Sequence, residues 1–216
     1  MARDILQTVA LVDDDDGISV SASPGAGAIV MGGALVSGGV AYIYSATGSP
    51  ATRMGQIVTV TSGGNDAGIT FTITGTDADG RVMSQTITGG NVAAASTTRY
   101  FSTVTAVTKS GASAGTVKVG VIITNGGVTR SARANNRAPW FGVGMGLTVS
   151  GTITCTVQHT FADINDATWV RTWYSNSGMT AKTANTDGNY IVPIMGIRLL
   201  VVPTSTATAY LEIVGS

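Results

Sequence analysis

The chain has 216 residues, with 12 acidic and 12 basic side chains, one cysteine and one histidine. Charged residues make up only 11% of it, against about 25% in an average domain. A single cysteine excludes an intrachain disulfide and a cysteine-based zinc site, and no apolar run reaches the ~18 residues of a membrane helix, so no membrane partner is expected.

The start, MARDILQTVALVDDDD, has a short apolar run that ends in Asp13, Asp14, Asp15 and Asp16. It does not read as an export signal and predicts folding in the cytoplasm. From there the pattern is β nearly throughout. Strands are predicted at 18–22, 28–31, 40–44, 56–61, 69–74, 82–88, 100–108, 116–122, 147–149, 152–161, 190–193, 197–202 and 209–214, with Gly, Asn, Asp and Ser clustered between most of them. In Ile69-Thr70-Phe71-Thr72-Ile73-Thr74 the apolar residues fall on every second position, the period of a strand with one buried face. Gly75 to Gly80 breaks that period with two aspartates, and Val82 to Thr88 resumes it, which predicts a hairpin with a loop of about five residues. The Asp77/Asp79 pair lacks the further oxygen ligands of a calcium loop and reads as turn chemistry.

Short strands at this spacing predict an all-β protein of two β-sandwich domains in tandem, jelly-roll or Ig-like. The segment GGVTRSARANNRAPW is basic, poor in aliphatics and non-alternating. It sets the expected division: a β domain over 1–128 with a Gly-rich N-terminal arm, a basic linker over 129–138, and a C-terminal sandwich over 139–216. Residues 161–185 are the least regular and are expected to hold a short helical turn or a long loop.

Candidate chemistry is sparse. Gly111-Ala112-Ser113-Ala114-Gly115 matches a hydrolase nucleophile pattern. It lies between two strands, however, and no acid stands between Ser113 and His159, so the chain order of that triad cannot be met. His159 lies at the end of an apolar strand face and is expected as a hydrogen-bonded residue of the core or its edge. Cys155 on the same face is expected as a small buried hydrophobe. Trp140, Phe141, Trp169, Trp173 and Tyr174 gather in the second domain. They fit either a partner or sugar platform or the closing of a core, and both readings stay open. The sequence predicts no catalytic residue, no metal site and no cofactor.

The stretches VTVTSGGNDAGITFTITGTDADGRVMSQTITGGN, STTRYFSTVTAVTKSGASAGTVKVGV, VSGTITCTVQHTFADI and KTANTDGNYIVPIMGIRLLVV resemble a family of virion structural proteins of tailed bacteriophages, from about Gly33 to the end. The resemblance implies two all-β units and a non-enzymatic structural role as a capsid, neck or tail accessory, assembled in the bacterial cytoplasm. It implies as partners the chain itself as a homo-oligomer and other virion proteins: major capsid, portal, neck or tail. An alternative is a receptor- or carbohydrate-binding module of a collar or tail fibre, which would bind a host glycan.

The neutral total hides a segregated chain. Residues 1–79 hold eight acids and two bases, residues 80–162 seven bases and no acid, and residues 163–216 four acids and three bases. Strand pairing inside one subunit is one account of that order. The other is docking between subunits, with Arg130, Arg133 and Arg137 of the expected linker meeting Asp13 to Asp16 of an adjacent copy or an acidic shell. Nucleic acid is disfavoured, because the chain is neutral overall and aromatics do not interleave with the arginines.

Overall fold

The computed structural model describes residues 3–6, 11–22, 25–44, 54–134, 142–166, 171–204 and 207–215. Within them the chain is almost entirely β, in antiparallel sheets. It forms two compact units, one from residues 11–48 and 53–127, the other from the chain's start together with residues 128–216. The first strand, β1 (Arg3–Leu6), belongs to the second unit.

The first unit holds β2 (Asp14–Ala22), β3 (Gly27–Ala28), β4 (Val36–Ser37), β5 (Val40–Tyr42), β6 (Met54–Ser62), β7 (Thr70–Thr76), β8 (Val82–Thr88), β9 (Ala94–Phe101), β10 (Thr103–Lys109) and β11 (Val117–Val121). One sheet runs β4-β5-β10-β7-β8, with β3 also on β10. On the other side β6 lies between β9 and β11, and β2 follows β11. The predicted hairpin is present. Ile73 pairs with Gln85 and Thr76 with Val82, and Asp77 closes the turn by accepting the Asp79 and Arg81 N–H groups on Oδ1, each at 2.9 Å. Alternate residues of both sheets meet in one core that includes Ile18, Val58, Phe71, Ile73, Val107 and Val119. The outer face of β7 is threonine, each bonded to a neighbouring strand: Thr72 to Thr86 at 2.9 Å, Thr74 to Ser84 at 3.3 Å, and Thr76 to Thr103 at 2.7 Å.

Two expectations change here. The single strand predicted at 100–108 breaks at Ser102, where the chain leaves the pairing with β6 and enters the pairing with β7. Ser102 anchors that corner, donating its N–H to Thr76 and accepting from Ile43. A Cβ at Gly75 would overlap the Thr103 carbonyl, so only glycine lets the strands approach beside the break. Asp14, Asp15 and Asp16, which precede the strand predicted at 18–22, begin β2. They are accommodated there by Gly120, where any side chain would overlap their backbone, and by irregular register along β11.

The second unit holds β12 (Gly127–Thr129), β13 (Ala132–Arg133), β14 (Val143–Ser150), β15 (Ile153–Thr160), β16 (Tyr174–Ser175), β17 (Thr186–Tyr190), β18 (Gly196–Pro203) and β19 (Thr208–Gly215), with β12 starting at the boundary. One sheet runs β1-β19-β14-β17; in the other, β18 pairs with β15 and β13, and β16 flanks β15. Met145, Leu147, Cys155, Val157, Leu199, Val201, Leu211 and Ile213 are buried. Of the expected linker, Thr129 ends β12, and Ala132 and Arg133 form β13, which pairs with β18. Thr129, Ser131, Ala132 and Ala134 are buried, and Thr129 Oγ1 accepts the Leu199 N–H at 3.0 Å. Small and polar residues occupy these buried positions, without the aliphatic run that betrays a strand in sequence. Residues 135–138 lie outside the described residues. The chain's start, expected within the first domain, pairs with β19 through Arg3–Val214 to Leu6–Leu211. Residues 161–185 hold β16 and a single helical turn at Ser177–Met179, capped by Asn176.

Candidate functional site

The most distinctive surface is the end of β15 in the second unit. The strand runs from buried Ile153, Cys155 and Val157 to half-buried His159 and exposed Phe161. β16 brings Tyr174 opposite His159, and β17 ends on Tyr190. The His159 ring lies 4.9 Å from Tyr190, 5.2 Å from Phe161 and 5.7 Å from Tyr174, and Phe161 and Tyr174 are themselves 5.7 Å apart. These separations suit edge-on and tilted aromatic contact. Tyr190 Oη and His159 Nδ1 bond at 3.0 Å. Burial lowers the His159 pKa, favouring the neutral ring. Burial also pushes the Tyr190 hydroxyl up to about 12, partly offset by its hydrogen bond with Asn176.

The loop after Tyr190 returns to the same place, because Met195 donates its N–H to Thr160 at 2.8 Å. The loop is thus tied to β15 at both ends, by Tyr190 on His159 and by Met195 on Thr160, and its exposed apolar residues lie between those two ties. Ile191 is 80% exposed, Phe161 56% and Tyr174 49%, with Val192 also exposed. At the rim, the Arg198 guanidinium lies 4.2 Å over the Trp173 ring and donates to Gln158 at 2.8 Å. Of the five aromatics singled out in sequence, Tyr174 is thus in the patch and Trp173 on its rim, while Trp140, Phe141 and Trp169 lie outside the described residues. His159 is the hydrogen-bonded edge-of-core residue expected. Ile191 and Val192 were missed, and Phe161, expected as the last residue of the apolar strand at 152–161, lies just past the end of β15 and is exposed. Cys155 is buried, and its thiol is pushed up to about 11 by that burial, so it stays protonated at neutral pH.

A second polar group closes one end of the first unit. Ser113 lies in the turn between β10 and β11, as its small-residue neighbours predicted. It is buried, donates to the Gly115 carbonyl at 2.9 Å and accepts from Lys109 Nζ at 3.2 Å. The next residue, Ala114, donates its N–H to Asp66 Oδ1 at 2.7 Å. Lys109 is only 5% exposed and Asp66 fully buried. Sequence reasoning passed over both. The available signal was parity, since Lys109 shares the inward side of β10 with Val107.

The charge runs do not stay together in the fold. Arg130 and Arg133 are exposed, and Arg137 lies outside the described residues. Asp13 accepts the Ile123 N–H at 3.0 Å, and Asp15 pairs with Lys118 of the neighbouring strand at 3.5 Å. At least part of the acidic run is therefore answered by a base inside the same subunit. Both partners of that pair are well exposed, and such pairs contribute only about 0–1 kcal/mol. Asp14 is held above the usual carboxylate range, first by burial and then by the Asp16 side chain.

Compared with known proteins, the chain matches no family model, no curated protein and no solved structure.

Proposed function

We propose that the chain is a non-enzymatic structural component of a tailed-phage virion, bound as an oligomer to the capsid, neck or tail. The observation that carries this is the apolar patch of Phe161, Tyr174, Ile191 and Val192 on a chain with few charges. Contiguous exposed apolar surface marks an interface, and a repeated assembly gives such a patch a partner in every copy. The resemblance of the Thr/Gly-rich stretches to phage virion proteins names the kind of assembly. Arg130, Arg133 and Arg137 supply a second, electrostatic contact to the same assembly. Gold-labelled antiserum raised against the purified chain should decorate the capsid, neck or tail of particles from an infected culture. Label confined to particle-free fractions would sink the proposal. In solution, light scattering should show an oligomer that Phe161→Asp with Ile191→Asp dissociates.

A second reading, a receptor- or glycan-binding module, is favoured by the exposed Tyr174 beside the Trp173–Arg198 stack. Loss of cell or glycan binding in Tyr174→Ala, with oligomerisation retained, would select it.

A further inference from the structure

One chain of hydrogen bonds in the second unit joins three elements and ends on the single histidine of the protein. It starts at Asn176, just after β16, whose N–H is donated to the Val157 carbonyl of β15 at 2.9 Å. Asn176 Oδ1 accepts the Gly178 N–H at 2.9 Å, so the amide nitrogen is the end left to donate. That nitrogen reaches the Asn189 carbonyl at 3.4 Å. The same side chain bonds Tyr190 and lowers the pKa of its hydroxyl, as a donor to the oxygen does. Tyr190 is only 6% exposed, and a buried hydroxyl hydrogen needs an acceptor. His159 Nδ1, at 3.0 Å, supplies it. The hydrogens then all point one way, from Asn176 to Tyr190 to Nδ1, and the imidazole carries its own hydrogen on Nε2.

That order holds only while Nδ1 is bare. A proton placed there meets the Tyr190 hydroxyl hydrogen head-on. Either the phenol turns its hydrogen away and strands a buried donor, or the two rings part. Nothing else in the described residues answers the new charge. β16 presents the Tyr174 ring to the imidazole, β17 the Tyr190 hydroxyl, the end of β15 the Phe161 ring, and β18 the buried Ile197 in register. Arg198, the next residue of β18, alternates to the opposite face and stacks on Trp173. No acid pairs with the ring among the described residues, and the half-buried imidazole has a way out to water. We propose that His159 and Tyr190 form a pH-sensitive latch, closed at neutral pH and opened by protonation of Nδ1, which frees from β15 the Tyr190 end of the loop that carries exposed Ile191 and Val192. Burial holds the His159 pKa of the closed form below the ordinary 6.5, so the open form takes up its proton first as acidity rises. The open fraction therefore grows by up to about tenfold per pH unit, from 6.5 down to the pKa of the closed form.

A single histidine makes the latch readable without assignment, by nitrogen-15 spectra of the imidazole across pH, alongside hydrogen exchange of residues 190–195. At neutral pH the wild-type ring should carry hydrogen on Nε2 and none on Nδ1. On acidification, protection of residues 190–195, corrected for the intrinsic pH dependence of exchange, should fall by up to about tenfold per pH unit, in step with the titration of the ring. His159→Gln should remove that dependence. Tyr190→Phe should leave the segment less protected already at neutral pH and raise the titration midpoint of His159, since Nδ1 is no longer taken. Hydrogen on Nδ1 at neutral pH overturns the proposal, and so does wild-type protection that stays constant while the ring titrates, or a pH dependence that survives in His159→Gln. The first two results are read on the wild-type protein, so they decide even where a variant fails to fold. They are read on the isolated chain, so the latch stands apart from the virion assignment.

Discussion

In the first unit the awkward side chains are inside. Gln56, Asp66, Lys109 and Ser113 are buried, while its outward threonines bond one another. In the second unit the awkward side chains are outside: Phe161, Tyr174, Ile191 and Val192 face solvent at one end of β15. Both units are antiparallel β structures with alternating cores, so the contrast does not come from fold. Polar groups drawn inward specify how a unit closes on itself, and apolar groups left outward specify what it can meet. The first unit also leaves Val30 and Val82 exposed, so the contrast lies in its buried Asp66 and Lys109 and in the aromatic character of the second unit's exposed group.

Truncating an aromatic in each unit is the most severe test of that contrast. Phe71→Ala should cost about 3–5 kcal/mol, because a fully buried ring leaves a cavity. Phe161→Ala should fall within about 0.5 kcal/mol in the isolated chain and act on assembly instead. Denaturant unfolding monitored in each variant checks both, and a large loss from Phe161→Ala would make the patch part of a core. Next come the glutamines. Gln56 both accepts from and donates to the Val12 backbone, at 2.7 and 2.8 Å, from a fully buried position. Gln56→Leu should therefore cost about 1–3 kcal/mol by stranding those groups. Gln158→Leu, which removes only the bond to Arg198 at the rim, should cost less than about 1 kcal/mol by the same assay.

Backbone strain is smaller again and present in both units. Val92 and Ala181 hold φ of 49° and 51°, where a β-carbon is unfavourable. Val92→Gly and Ala181→Gly should each raise stability by up to about 1 kcal/mol, Val92 gaining more because it is β-branched. A loss of thermal stability in either would show that the side chain makes a compensating contact. Acidification should separate the units by sign. The His159 pKa is lowered in the fold, so the unfolded chain takes up its proton first as pH drops below the ordinary 6.5, and the second unit loses stability there. The Asp14 pKa is raised, so the folded chain takes up its proton first as pH falls toward the ordinary 3.8, and the first unit regains stability in that window. Differences between wild type and His159→Gln, and between wild type and Asp14→Asn, isolate the two slopes in unfolding titrations. The faintest effect is kinetic. With its thiol buried and held at about 11, Cys155 should resist alkylation until the second unit opens. Rapid labelling of the native protein would reveal local opening there.

The strands with clean alternation were legible in sequence, as were the Asp77 turn and the core-edge place of His159, because each depends on neighbours within a few residues. The break at Ser102 was not, since residues 100–108 alternate across it and only the change of partner strand reveals the corner. Thr129 to Ala134 read as linker because small and polar residues fill its buried positions, where aliphatics are the usual sign. The bonds that tie Ala114 to Asp66 and Tyr190 to His159 join positions distant along the chain. No local pattern encodes them. The charge segregation was legible, but its partial resolution in the Lys118–Asp15 pair required the β2–β11 register.

The threonine face of β7 and β8 has a consequence for how the protein meets its surroundings. One hydroxyl of each pair donates sideways to the other, so the face offers water fewer donors than its hydroxyls could supply, beside their methyl groups. Neither strand contains a titratable side chain. The two strands themselves add no charge that acidity could change, and the guanidinium of Arg99 is tied to the Ser84 carbonyl beside them. The wetting of these two strands then rests on the spacing of hydroxyls and methyl groups rather than on acidity.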